Sequence, residues 1–198
     1  MINQTLIKAI SSRNYILIYS PNFKKNYKKI FNFFSGKAVY SSGVKTKKPE
    51  LKFIEEIVSI IKKKNFDTII SIGGGKVIDS SKVIKYLLIK KKIKKNIDLF
   101  VIPTLFGSGA ENTSSAVYYK NNVKMTVVSK KIIPDNIFIL DNFKYVKVIM
   151  PIKHAALDCL CQSIESIWSK KSNHRSIKYA SKSLRLSNFE SLYNSAYK

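Results

Sequence analysis

Three short stretches of this chain carry residue types that could do chemistry. The first is Ser71-Ile-Gly-Gly-Gly-Lys-Val-Ile-Asp79, an apolar run that enters three glycines and leaves as a helical pattern. Glycine has no Cβ, so backbone N–H groups there can approach a ligand closely, and a helix start adds partial positive charge. The combination suits an anion, most naturally a pyrophosphate. The spacing is neither that of a P-loop nor the Gly-x-Gly-x-x-Gly fingerprint, and a glycine turn without a ligand follows many strands. The second stretch, Ile102-Pro-Thr-Leu-Phe-Gly-Ser-Gly-Ala-Glu111, again runs from an apolar segment into a small, hydroxyl-rich loop. If both loops leave strands of one parallel sheet, they line one crevice; a plain surface loop is the alternative. The third follows Pro151. Leu157, Leu160, Cys161, Ile164, Ile167 and Trp168 form an apolar stripe at helical spacing, with Asp158, Gln162 and Glu165 on the opposite face. A solvated face is the simplest reading of those polar residues, and Cys159 and Cys161 read as core filler.

The elements that must position these stretches alternate. Asn14–Tyr19, Asp67–Ile72 and Leu99–Ile102 are short apolar runs stopped by Ser-Pro, Gly and Pro, and they read as buried strands. Ala38–Tyr40 is a weaker strand ending at Ser-Ser-Gly. Between them, Lys24–Phe34, a stretch opened by Pro49 with Leu51, Phe53, Ile54, Ile57, Val58 and Ile61 on one face, and Val77–Leu88 read as helices. This alternation predicts a parallel sheet covered on both faces. Ala116–Leu140 reads as further strands and turns. Beyond Pro151 only helical spacing is visible, which predicts a domain boundary near residue 150. Ser181-Lys-Ser-Leu-Arg-Leu-Ser-Asn offers few apolar anchors, so residues 181–198 are expected to pack poorly.

Composition bounds the rest. The chain has 198 residues, 45% of them apolar, and a formal charge of +24 from 36 basic and 12 acidic side chains. Only Arg13, Arg175 and Arg185 among the basic residues are arginine. Lys, Ile, Asn and Tyr share A/T-rich codons, so the excess reads first as coding bias; a phosphate-reading surface would favour the bidentate fork of Arg. A basic polyanion binder is therefore the weaker reading, and nucleic acid is not the expected partner. No apolar run is long enough to span a bilayer, and no signal segment is visible at the N-terminus. The expectation is a soluble, cytoplasmic protein without a disulfide framework.

In this order the motifs resemble the iron-containing (group III) alcohol dehydrogenases. Their Gly-Gly-Gly-Ser…Asp…Lys loop is matched by Gly73, Gly74 and Gly75, then Asp79 and Lys82. Their Ile-Pro-Thr-Thr-Ala-Gly-Thr-Gly-Ser-Glu loop is matched by Ile102, Pro103, Thr104, Gly107, Ser108, Gly109 and Glu111. Pro134-Asp135 and Leu140-Asp141 follow, then Asp158-Cys-Leu-Cys-Gln-Ser-Ile-Glu165, whose wording is most similar to a phosphonoacetaldehyde-reductase-like branch. The resemblance implies a Rossmann-like doubly wound α/β domain over residues 1–150, followed over 151–198 by the first helices of a truncated all-helical, metal-binding domain. It implies an NAD(P)-dependent enzyme that reduces small aldehydes or oxidises alcohols, with a homodimer as an open expectation. Gly73, Gly74, Gly75, Lys76 and Asp79 would hold the pyrophosphate end of NAD or NADP, with Thr104, Leu105, Ser108, Lys124 and Leu140 along the cofactor. Ser20 falls where many members carry an Asp that reads the adenosine ribose, which makes NADP admissible. A divalent iron or zinc would polarise the substrate oxygen, and the positions of its first ligands correspond to Asp158 and Gln162.

The departures set the competing expectation. Lys76 replaces the loop Ser, Leu105 a Thr and Ala110 a Ser, and Gln162 stands where a His ligand belongs. The only histidines are His154 and His174, and the family's two later His ligands lie in a part of the helical domain not present here. The metal site implied by the resemblance is therefore incomplete, which leaves a non-catalytic, cofactor-binding fragment as the alternative.

Overall fold

The computed structural model describes residues 4–140 and 149–186. They fall into two compact units: Met1–Thr104 with Gly109–Tyr145, and Leu105–Ser108 with Val146–Lys198. In the first unit, α1 (Gln4–Ile10) precedes β1 (Tyr15–Tyr19), α2 (Pro21–Asn26), α3 (Lys28–Ser35), β2 (Tyr40–Gly43), α4 (Leu51–Lys63), β3 (Thr68–Gly73), α5 (Gly75–Lys90) and β4 (Asp98–Pro103). An antiparallel ribbon of β5 (Ser115–Lys120) and β6 (Val123–Val128) turns through Asn121 and Asn122, both at positive φ, before the two-residue β7 (Asn136–Ile137). The main sheet is parallel throughout, in the order β2-β1-β3-β4-β7.

Strand alternation divides the core. Ile16, Ile18, Ile69, Leu99 and Val101 join Ile54, Ile57 and Ile61 of α4 and Val77, Ile78 and Ile84 of α5 in one buried cluster. The alternate set, Tyr15, Leu17, Ile70, Ile72, Phe100 and Ile102, is equally buried. On that side the Tyr15 hydroxyl donates to Phe34 O at 2.6 Å, and burial pushes its pKa up to about 12. The chain steps from β1 outward to β2, then across β1 to β3 and on to β4. Right-handed crossovers therefore put α2 and α3 on one face and α4 and α5 on the other. This is the doubly wound α/β sheet expected from the alternation.

Three details differ from the sequence reading. The helix expected over 24–34 breaks at Tyr27, whose φ of −131° and ψ of 50° end α2 and start α3. The weak strand expected at 38–40 forms instead at Tyr40–Gly43, because Ala38 N–H still closes α3 by donating to Phe34 O at 3.0 Å. The Ser-Ser-Gly read as its stop is an edge strand, which tolerates polar residues.

In the second unit α6 (Ile149–Trp168) pairs with α7 (His174–Leu186). The contact is made by small side chains: Ser163 Oγ donates to Ser183 Oγ at 3.0 Å, and Cys159 Sγ lies 3.4 Å from the same hydroxyl. The apolar stripe is only partly covered: Leu160, Ile164 and Ile167 are half-buried, whereas Leu157 is 56% and Trp168 81% exposed, and Cys161 is exposed. Of the tail expected to pack poorly, residues 181–186 continue α7, with Leu184 half-buried and Leu186 exposed. Residues 187–198, Phe189 included, and 141–148, with Asp141, lie outside the described residues. Among the described residues no helix is long and apolar enough to cross a membrane.

Candidate functional site

After β1 the chain heads toward β2, and after β3 toward β4, so the C-terminal ends of β1 and β3 diverge at a topological switch point. The glycine run lies there. Gly73 ends β3, and a Cβ on it would lie 2.5 Å from Val77 Cγ2, so only glycine lets α5 begin against the strand. Gly74 is the N-cap, extended at φ −84° and ψ −173°, and its carbonyl accepts from Val77 N–H at 2.9 Å and Ile78 N–H at 3.2 Å. No side chain caps this helix. Gly75 and Lys76 occupy its first two positions, where backbone N–H groups have no intrahelical acceptor. All three residues are half-buried. Ser20 N–H donates to Ile72 O at 2.9 Å and Thr104 N–H to Gly73 O at 3.0 Å, which sets the ends of β1 and β4 on either side of the turn. Uncapped donors at a helix start, flanked by strand ends, are suited to an anion.

Lys76 does not simply extend into this crevice. Its ammonium donates to Thr46 O at 2.6 Å and Val44 O at 3.4 Å, in the segment after β2, and burial lowers its pKa. Asp79 and Lys82 are committed elsewhere. Asp79 accepts Val117 N–H of β5 at 3.2 Å; burial pushes its pKa up to about 6, opposed by that N–H and by Lys82. Lys82 is fully buried and donates to Ala110 O, Thr113 Oγ1 and Ser115 O at 2.5, 2.8 and 2.9 Å. Burial lowers its pKa too, against the opposing pull of Asp79 and Glu111. Lys85, also buried, reaches Asp135 Oδ2 at 2.5 Å, and the same oxygen accepts Leu99 N–H at 2.7 Å. One helix face thus braces the loop after β4, the β5 strand and the Pro134-Asp135 segment. Sequence reasoning missed these braces and the acceptors Val44, Thr46, Thr113 and Ser115. The only signal was two lysines, Lys82 and Lys85, on the otherwise apolar or small face with Ile78 and Ser81. Lys124 lies exposed on β6, in register with Tyr119, and Leu140 is buried.

In the second unit Leu105 is half-buried and Ser108 exposed, while a Cβ on Gly107 would meet Ala155 of α6 at 2.7 Å. Asp158 and Gln162, one turn apart on α6, are both exposed, as is His154 one turn earlier. Among the described residues no three His, Cys, Asp or Glu side chains group as metal ligands would. One carboxylate and one neutral amide on an open helix face do not fit a transition metal, whose sites use three or four protein ligands.

A parallel β2-β1-β3-β4-β7 order with a glycine turn at the switch point defines an open doubly wound α/β domain, the class that takes ligands beyond the carboxyl ends of its strands. Residues 3–142 match the model of the iron-containing alcohol dehydrogenases, and the chain belongs to that family. It is 30% identical over 149 residues to the NAD-dependent methanol dehydrogenase of Bacillus methanolicus, covering 68% of this chain and 39% of that protein. It is 31% identical over 106 residues to the 4-hydroxybutyrate dehydrogenase of Clostridium kluyveri, covering 48% and 29%. The fold matches the iron-containing alcohol dehydrogenase of Thermococcus thioreducens with a TM-score of 0.75 at 23% identity, over 88% of this chain and 52% of that one. It also matches NADH-dependent butanol dehydrogenase A of Thermotoga maritima, with a TM-score of 0.70 at 22% identity, over 96% and 56%. The chain thus spans less than half the length of these curated relatives.

Proposed function

We propose that residues 1–150 form a dinucleotide-binding domain for NAD or NADP, in an oxidoreductase acting on small alcohols or aldehydes. The carrying observation is the uncapped start of α5 at the β1/β3 switch point: Gly74, Gly75 and Lys76 offer backbone N–H groups, and Gly73 lets the helix begin close to the sheet. In this reading Thr104, Leu105, Ser108, Lys124 and Leu140 lie along the cofactor. Asp79 supports the site indirectly, by tying α5 to β5. A bound nicotinamide supplies hydride transfer to or from the substrate carbon. The part of this chain is to hold the pyrophosphate and fix its orientation. Family membership and the names of its relatives support the reaction class.

Residues 151–198 belong in this reading to a helical domain whose candidate metal positions are Asp158 and Gln162. Since those residues do not fit a metal, no step is assigned to one. This favours a second reading, cofactor binding without metal-dependent turnover, carried by Gln162. Fluorescence titration of NADH and NADPH against the native chain and Gly74→Val tests the site. A side chain at position 74 obstructs the phosphate approach, so affinity falls at least about tenfold, the scale of one charge-assisted hydrogen bond. Unchanged affinity in a folded Gly74→Val variant overturns the assignment.

A further inference from the structure

Lys76 reaches across the end of a strand. In the order β2-β1-β3, α5 begins beyond the end of β3, whereas Val44 and Thr46 follow β2. The strand between is β1, which ends at Tyr19 and Ser20. Tyr19 pairs with Gly43 on one side and Ile72 on the other, so Ser20 is flanked by the two segments that Lys76 joins. An ammonium from the first turn of α5 that donates to Thr46 O at 2.6 Å and Val44 O at 3.4 Å therefore stands over the β1–β2 side of the crevice, away from the amides of its own helix start. Lysine has three N–H donors, and these bonds use two.

The segments that Lys76 reaches over carry no negative charge. The first acidic residue of the chain is Glu50, so β1, α2, α3, β2 and the segment through Pro49 contain no carboxylate. The same segment carries Lys45, Lys47 and Lys48. Burial depresses the pKa of Lys76, and no carboxylate offsets it. Ser20 is small, and its hydroxyl does not cap α2. In doubly wound dinucleotide sites a carboxylate accepts the 2′-hydroxyl of the adenosine ribose, and a basic side chain accommodates a 2′-phosphate.

We propose that Lys76 is a specificity-determining residue that selects a dinucleotide phosphorylated on its adenosine ribose, NADP(H), over NAD(H). The inference rests on the dinucleotide site proposed above. Its chemistry is one charge-assisted hydrogen bond, Nζ–H to a phosphate oxygen, made by a cation already fixed by two carbonyls so that little ordering is required on binding.

The test is titration of the 198-residue chain with NADPH and NADH by nicotinamide fluorescence, with 2′,5′-ADP and 5′-ADP as competitors that lack the nicotinamide. The expected result is NADPH at least about tenfold tighter than NADH, the scale of a single bond to a charged group, with the same order for the two competitors. Lys76→Ser, which keeps the backbone N–H, removes the preference by weakening NADPH more than NADH, while Lys63→Ser, at an exposed lysine at the end of α4, retains it. NADH bound as tightly as NADPH overturns the inference and leaves the dinucleotide site standing. Equal weakening of both cofactors by Lys76→Ser also overturns it and assigns the ammonium to the pyrophosphate. Failure of both cofactors to bind the native chain overturns the site itself. The native NADPH-to-NADH ratio and the competitor order require no variant to fold.

Discussion

A single methyl group added at position 73 would meet Val77 Cγ2 at 2.5 Å, and the strand on one side and the helix on the other leave little room to relax. Gly73→Ala is expected to cost about 1–3 kcal/mol in urea unfolding, the usual range for forcing extra volume into a packed junction. Adding Val77→Ala should recover part of that loss, because it removes the atom the methyl strikes. Asp79 makes a second residue-level prediction. Its folded pKa, pushed up to about 6 by burial, lies above the ordinary value of 3.8. The folded state therefore holds this proton more tightly than the unfolded chain does. The resulting stabilisation is complete below pH 4 and is lost as pH rises through 6, by up to about 3 kcal/mol. Asp79→Asn keeps an acceptor for Val117 N–H and cannot ionise. Its stability relative to the native chain should therefore rise by that amount between pH 4 and pH 7, read by urea unfolding at both. A relative fall over the same interval would contradict this account.

At the scale of elements, α5 is the organising helix, and Lys82 is the bond between it and the loop after β4. Lys82→Met keeps the length of the stem but removes the donor to Ala110 O, Thr113 Oγ1 and Ser115 O, which should cost about 2–4 kcal/mol. Hydrogen exchange should accelerate first at Thr113–Val117, and uniform acceleration across the sheet would show that the brace is not local. None of this was legible in the sequence, since the acceptors lie 28 to 33 residues downstream and two of the three are backbone carbonyls. What could be read was local. β1, β3 and β4 are apolar runs closed by Pro or Gly, and α4 shows an unbroken 3.6-residue stripe, so pattern alone fixed their type. β2 was misplaced because an edge strand of Tyr-Ser-Ser-Gly has no apolar signature. The covered face of α6 was legible only in part, because the small Cys159 and Ser163 meet α7, while of the apolar stripe Leu160, Ile164 and Ile167 are half-buried and Leu157 and Trp168 stay exposed. The glycine turn was visible as composition, but the reach of Lys76 to Thr46 depends on the strand order, which no local pattern states.

For the whole molecule, the parts supporting a cofactor and the parts supporting a metal are unequal. The first unit combines a switch point, uncapped amides and an uncompensated cation, whereas the chain has two histidines in all and its candidate ligands on α6 lie open to solvent. The 198-residue chain supplied with iron or zinc, NAD(P)H and small aldehydes is expected to show no turnover above a chelator-treated control. Metal-dependent turnover would make His154 and Gln162 the residues to replace next. The central claim concerns binding, and backbone amide NMR reads it at the atoms concerned. A ¹⁵N-labelled chain titrated with ADP-ribose, which carries the pyrophosphate without the nicotinamide, should show its largest saturable shifts at Gly74, Gly75 and Lys76, with smaller ones at Ser20 and Thr104. Saturable shifts centred elsewhere, or none at the start of α5 at millimolar ligand, would contradict the account.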